Sequence, residues 1–219
     1  MLMNMQRVLC LSPHPDDTEF GAGATLHRFK NNVEARLLVF SDRSKTRGEK
    51  HNDRDQIASA AKLGISAKNV KFIDQLGLKI QRLPVRFFGT EEARDQIRMV
   101  VAHAVEEFDP DVIFTPAAHE SMQDHQAVTE EVIRVQRGRA AIFGYETPKH
   151  NRLMNPGTFV KVSEADIAAK AAAVNSYSEF TTRYYFEEKM LDALARVRGM
   201  DAGFNGLAEA FEVYRLFVE

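Results

Sequence analysis

The sequence predicts an α/β fold in which a mostly parallel sheet is covered by helices on both faces. Short β-rich apolar runs alternate with helical patterns along the chain, and the first run, from Arg7 to Pro13, is apolar at nearly every position, as a strand buried on both faces must be. That run is read as the central strand. A helical segment from Ala22 to Asn32 leads to a second strand, Ala35 to Ser41. After a polar loop, a helix over Asp53 to Leu63 stops at Gly64, and Val70 to Ile73 forms a short third strand. Glu91 to Phe108 carries Ala93, Ile97, Val100, Val101, Ala104 and Phe108 at one-face helical spacing, and Asp109-Pro110 ends it before the strand Asp111 to Thr115. A helix over Gln126 to Arg137, a strand over Ala140 to Tyr145, a loop with Pro148 and Pro156, and a strand over Thr158 to Val162 follow. Ala-rich or aromatic helices then run to about Val197.

The chain has 219 residues, 44% hydrophobic and 27% charged, enough apolar material for one large core. No repeat or Pro/Gly/Ser-rich linker divides it, so residues 1–219 are read as a single domain. A net charge of -2 provides no broad basic field, which argues against a nucleic-acid binder. No apolar stretch approaches the ~18 residues of a membrane span, and no signal sequence opens the chain, so a cytoplasmic location is expected. The single cysteine, Cys10, cannot form an internal disulfide or a Cys-rich zinc site. Any metal must therefore be held by His, Asp and Glu.

The segment Ser12-Pro-His-Pro-Asp-Asp-Thr-Glu-Phe-Gly21 places His14, Asp16, Asp17 and Glu19 just past the first strand, where open α/β sheets bind ligands. Pro13 and Pro15 stiffen the turn. Adjacent aspartates repel unless a cation or shared proton absorbs their charge, and a divalent ion does so most simply. The competing reading makes Asp16 or Asp17 a helix cap and packs His14 in the turn. A second cluster, His119-Glu-Ser-Met-Gln-Asp-His125, follows the strand Asp111 to Thr115, and the same sheet delivers it to the same rim. His14, Asp17 and His125 together make two imidazoles and one carboxylate, a catalytic zinc set with one position open. Asp124 is placed to accept an imidazole N–H behind the metal, or else to cap the next helix and leave His125 exposed.

His14-Pro15-Asp16-Asp17 with the downstream Asp124-His125 resembles the LmbE-like, or PIG-L-type, zinc-dependent de-N-acetylase family. Leu63-Gly64, Gly144-Tyr145-Glu146, Arg198-Gly199 and Ala208-Glu209-Ala210-Phe211 are similar to that family as well, so the resemblance covers nearly the whole chain. It implies a Rossmann-like three-layer α/β/α sandwich that hydrolyses an N-acyl group, usually acetyl, from an amino sugar or sugar conjugate. On this resemblance His14, Asp17 and His125 would hold zinc, which would supply a water of lowered pKa and polarise the amide carbonyl. Asp16 takes the water proton and returns it to the leaving amine, on the residues and on the resemblance alike. Another first-row ion would suit the same ligands.

The chain departs from the family where many members carry a histidine three residues before the ligand histidine, to stabilise the oxyanion. Met122 stands there and cannot donate a hydrogen bond. His119 and His150 are the candidate replacements. The run Asp42 to Arg54 follows the second strand, and Arg43, Lys45, Arg47, Lys50 and Arg54 are candidates to grip a phosphate or acidic sugar, although Asp42, Glu49 and Asp53 offset much of that charge. Glu146 joins the candidate substrate contacts. Gly21 and Gly23 suit a helix packed close to the sheet better than a dinucleotide fingerprint, which Leu26 breaks. His27, His51 and His103 have no partner cluster and are read as structural. Tyr184-Tyr185-Phe186 with Phe204, Phe211, Tyr214 and Phe217 is read as helix packing or a subunit interface of a homo-oligomer. Two rivals share the scaffold: a sugar-binding protein whose chemistry lapsed with Met122, and an amidase acting on a thiol-conjugate or other non-sugar amide.

Overall fold

The computed structural model describes residues 5–41, 53–135, 138, 140–151, 153–177 and 183–216. Seven strands form one sheet: β1 (Arg7–Ser12), β2 (Glu34–Val39), β3 (Val70–Phe72), β4 (Val112–Pro116), β5 (Ala141–Tyr145), β6 (Thr158–Val162) and β7 (Leu207–Arg215), in the order β3-β2-β1-β4-β5-β7-β6. The first five are parallel to one another, and β7 is antiparallel to both β5 and β6. The sheet is the mostly parallel one expected, with an antiparallel edge.

Strand β1 shows why its sequence has no polar face. Leu9 and Leu11 enter one apolar cluster while Val8 and Cys10 enter another on the opposite side, and all four are fully buried. Six helices flank the sheet among the described residues: α1 (Asp17–Phe29), α2 (Asp53–Lys62), α3 (Glu91–Phe108), α4 (Gln123–Val135), α5 (Glu164–Val174) and α6 (Glu188–Asp201). Helices α3 and α4 pack on one face; α1, α2, α5 and α6 cover the other, which completes three layers.

Two elements depart from the expected ones, each for a physical reason. Helix α1 begins at Asp17, five residues earlier than Ala22, because tertiary packing outweighs the poor helix propensity of Gly21 and Gly23. A Cβ on Gly21 would lie 2.2 Å from the ring of Tyr145, so this glycine lets α1 approach β5. Strand β7 lies where no strand was expected, in the run Ala208 to Phe211 that carries part of the family resemblance. Its two glutamates, Glu209 and Glu212, stand three residues apart and are both buried, so the usual polar-out alternation is missing. Glu209 instead accepts from Ala24 N, Thr25 N and Lys170 Nζ, and Glu212 from Asn155 N and the Tyr214 hydroxyl.

Candidate metal centre and cleft

Strands β1 and β4 are neighbours whose connections leave the sheet in opposite directions, and the loops after them meet at the carboxyl edge. His14 and Asp17 come from the first loop, and Asp124 and His125 open α4 after the second. His14 Nδ1, His125 Nε2 and Asp17 Oδ2 form a nearly equilateral triangle, with sides of 3.2, 3.1 and 3.2 Å. A tetrahedral ion with bonds of ~2.0 to 2.1 Å needs ligand edges of roughly 3.3 to 3.4 Å, so a divalent ion fits these three atoms with little movement. All three residues are buried, which limits competition from water.

The rear of each imidazole is held by a carboxylate. His14 Nε2 donates to Asp124 Oδ2 at 2.9 Å, and His125 Nδ1 donates to Glu120 Oε2 at 2.6 Å. Each contact fixes the tautomer that turns the opposite nitrogen, as a lone pair, toward the centre. Asp124 thus faces the imidazole of His14 across the site and not that of the adjacent His125. Glu120 is a support that sequence reading missed; its position five residues before His125 becomes meaningful only because the loop curls back. Thr147 donates to the other oxygen of Glu120, and Arg86 N donates to Asp124 Oδ2 at 2.8 Å.

Without a cation the cluster is charged. Burial disfavours the Asp17 carboxylate, yet the facing His125 and His14 rings hold its pKa well below the ordinary range. Burial likewise disfavours charge on His125, but Asp17 and Glu120 raise its pKa to about 10. A proton on His125 therefore stands in for the positive charge that a metal would supply.

Asp16 occupies the position before α1, and its side chain makes no cap hydrogen bond to the helix. Its backbone is left-handed, with φ 85°, a sparsely populated conformation for a non-glycine residue. The side chain is buried, pairs with Arg183 Nη1 at 3.3 Å, and lines the same cleft as His14 and Asp17. The cleft holds about 390 Å³ and is walled by Phe20, Val85, Met122, Tyr185 and Phe186, with Arg86, Thr147, Lys149, His150 and Arg183 among its polar lining.

Several expected site residues lie elsewhere. His119 is 64% exposed and sits 3.5 Å from Glu212 Oε1, outside the cleft, because the loop turns its side chain away before Glu120 turns inward. His150 lines the cleft, with its ring 6.1 Å from that of His125. Glu146 does not line it: Arg198 Nε donates to Glu146 at 2.8 Å, so the pair joins β5 to α6. Arg54 is exposed on α2 and is absent from the cleft lining, while Arg43 and Arg47, with Lys45 and Lys50, lie outside the described residues. Tyr185 and Phe186, read as packing or interface, line the cleft beside Phe20, whose ring is 4.9 Å from that of Phe186. Cys10 is buried, and burial raises its pKa, which keeps it an unreactive thiol.

A carboxylate-backed His/Asp/His triangle at the switch point of an α/β sheet is a set of ligands suited to a divalent ion. Residues 9–136 match the family model PIG-L, described as GlcNAc-PI de-N-acetylase, and the chain belongs to that family. Among solved structures it is similar to the conserved protein TT1542 from Thermus thermophilus, at 23% identity and TM-score 0.75 over 98% of each chain. It is also similar to N,N'-diacetylchitobiose deacetylase from Pyrococcus horikoshii, at 20% identity and TM-score 0.72 over 96% of this chain and 84% of that one. A 4-carboxy-2-hydroxymuconate hydratase from Pseudomonas putida shares the fold too, at 16% identity and TM-score 0.69 over 98% of each chain. No curated protein matches the sequence.

Proposed function

We propose that this protein is a metal-dependent N-deacetylase that removes an acetyl group from an amino sugar or sugar conjugate. The observation that carries the proposal is the triangle of His14, Asp17 and His125, each imidazole backed by a carboxylate, with His14 and Asp17 lining the cleft that Asp16 also lines. Membership of the PIG-L family and likeness to a chitobiose deacetylase support the amide-hydrolysing reading over hydration. Zinc is the ion favoured by two imidazoles and one carboxylate.

His14, Asp17 and His125 would hold the ion, which when bound supplies a Lewis acid and a water of lowered pKa. Asp16 takes the proton of the attacking water at its carboxylate and passes it to the amine as the C–N bond breaks. Arg183 pairs with that carboxylate and orients it. His150, on the cleft wall, takes the oxyanion-donor role that Met122 cannot fill. Phe20, Tyr185 and Phe186 provide an apolar wall that excludes water and receives a sugar face. The substitution D16N tests the assignment: metal content should stay at one ion per chain while acetate release falls at least ~10³-fold, and full activity in D16N would remove Asp16 from the mechanism.

A further inference from the structure

Sequence reading put an anion-gripping function on the loop after β2, but the cleft carries its own cations. Arg86, Lys149 and Arg183 all line it. Arg183 is committed to Asp16. Arg86 and Lys149 form no ion pair among the described residues, whereas Arg36, Arg82, Arg94, Arg98 and Arg198 each face a carboxylate. The cleft carboxylates are already engaged, Asp17 with both imidazoles and Asp16 with Arg183.

Both side chains are exposed on the cleft lining; the Lys149 ammonium is placed by a ring, and Arg86 by its backbone. Lys149 Nζ lies 5.0 Å from the centre of the Tyr185 ring, and the Arg183 guanidinium lies 6.0 Å from the same centre. Residue 86 is in the left-handed region, with φ 74°, and its N–H is bound to the Asp124 carboxylate that supports His14. A non-glycine residue persists in that conformation only where its surroundings fix it. Two cations on one cleft lining, neither paired with a described carboxylate, give that lining a positive potential that favours an anionic ligand. A guanidinium fork and an ammonium together suit a carboxylate or a phosphate.

We infer that Arg86 and Lys149 bind an anionic substituent, a carboxylate or a phosphate, on the molecule that enters this cleft. The inference rests on reading the cleft as the substrate cleft proposed above, and it requires nothing of the amide chemistry. The test is calorimetric binding to the purified protein of N-acetylglucosamine, its 6-phosphate and N-acetylmuramic acid. At least one charged sugar should bind at least ~10-fold tighter than the neutral one, and the sugar that does so identifies the anion. That preference should fall below ~3-fold in R86Q/K149Q and persist in the charge-retaining R86K/K149R, with both variants melting near the parent. Equal binding of neutral and charged sugars would overturn the inference. So would a preference that survives in R86Q/K149Q, as it would if the anion simply ligated the metal. Because binding is read without turnover, failure of the deacetylase reading shows separately, as tight charged-sugar binding with no acetate released.

Discussion

At the residue scale the site is a set of buried charges that either a proton or a metal cation reconciles. His14 and His125 turn nitrogens toward each other at 3.2 Å, an arrangement that needs a shared proton or an ion between them. In the metal-free chain His125 retains its proton up to about pH 10, against the lowering effect of burial, because Asp17 and Glu120 face it. An ion entering at pH 7 must displace that proton, so metal uptake should release about one proton and affinity should rise with pH up to that value. Calorimetry in two buffers of different ionisation enthalpy reads the number directly; uptake without proton release would contradict the charge assignment. The supporting carboxylates can be tested in the same way: D124N and E120Q should each weaken metal binding by ~10- to 100-fold while the chain stays folded. His14, Asp17 and His125 were legible in the sequence because two short motifs followed two strands, and sheet topology alone brings such loops together. Glu120, Arg86 and Lys149 were not legible, because their roles depend on how loops curl and which way side chains turn. His119 illustrates the same limit: its separation from His125 was right for a loop residue, but its side chain faces Glu212.

At the element scale the position of α1 sets the metal ligands. Tyr145 donates its hydroxyl to Leu11 O at the end of β1, while its ring presses against Gly21 on α1. The first turn of that helix carries Asp17, and its entry carries Asp16, so the contact between helix and sheet fixes both carboxylates. A methyl group at residue 21 would meet Tyr145 atoms at 2.2 to 2.9 Å. G21A should therefore cost about 1 to 3 kcal/mol of stability and weaken metal binding as α1 shifts. Denaturant unfolding with and without added zinc measures both effects, and an unchanged midpoint with full metal affinity would show that the helix does not set the site. The strands that are apolar at nearly every position could be read from sequence, since burial on both faces leaves no alternative. Strand β7 could not, because its buried glutamates are satisfied by α1, α5 and the loop around Asn155, all distant in sequence.

At the scale of the whole molecule, the residues by which the sequence resembles the family divide into the site and the scaffold. The motifs at His14 and His125 build the centre, whereas the remaining matching residues hold the layers together. Arg198 joins Glu146, Gly199 makes room for the backbone of Gly206, and the Phe211 ring packs 4.9 Å from that of Phe114. The family model itself covers residues 9–136, which include both loops of the triangle. No described helix is long and apolar enough to cross a membrane. The near-neutral net charge conceals a local imbalance, with acidic groups concentrated at the metal triangle and the cations Arg86 and Lys149 beside it in the cleft. A hydratase shares this fold, so the fold does not choose the reaction, and the products must. The most direct measurement is the joint assay of acetate and free amine released from a panel of neutral, phosphorylated and carboxylated N-acetyl amino sugars by the zinc-loaded protein. A deacetylase with this centre should release equal amounts of both products from at least one member, and the release should be abolished by chelation and restored by the metal. Zinc bound at one ion per chain with no acetate released from any member would contradict it.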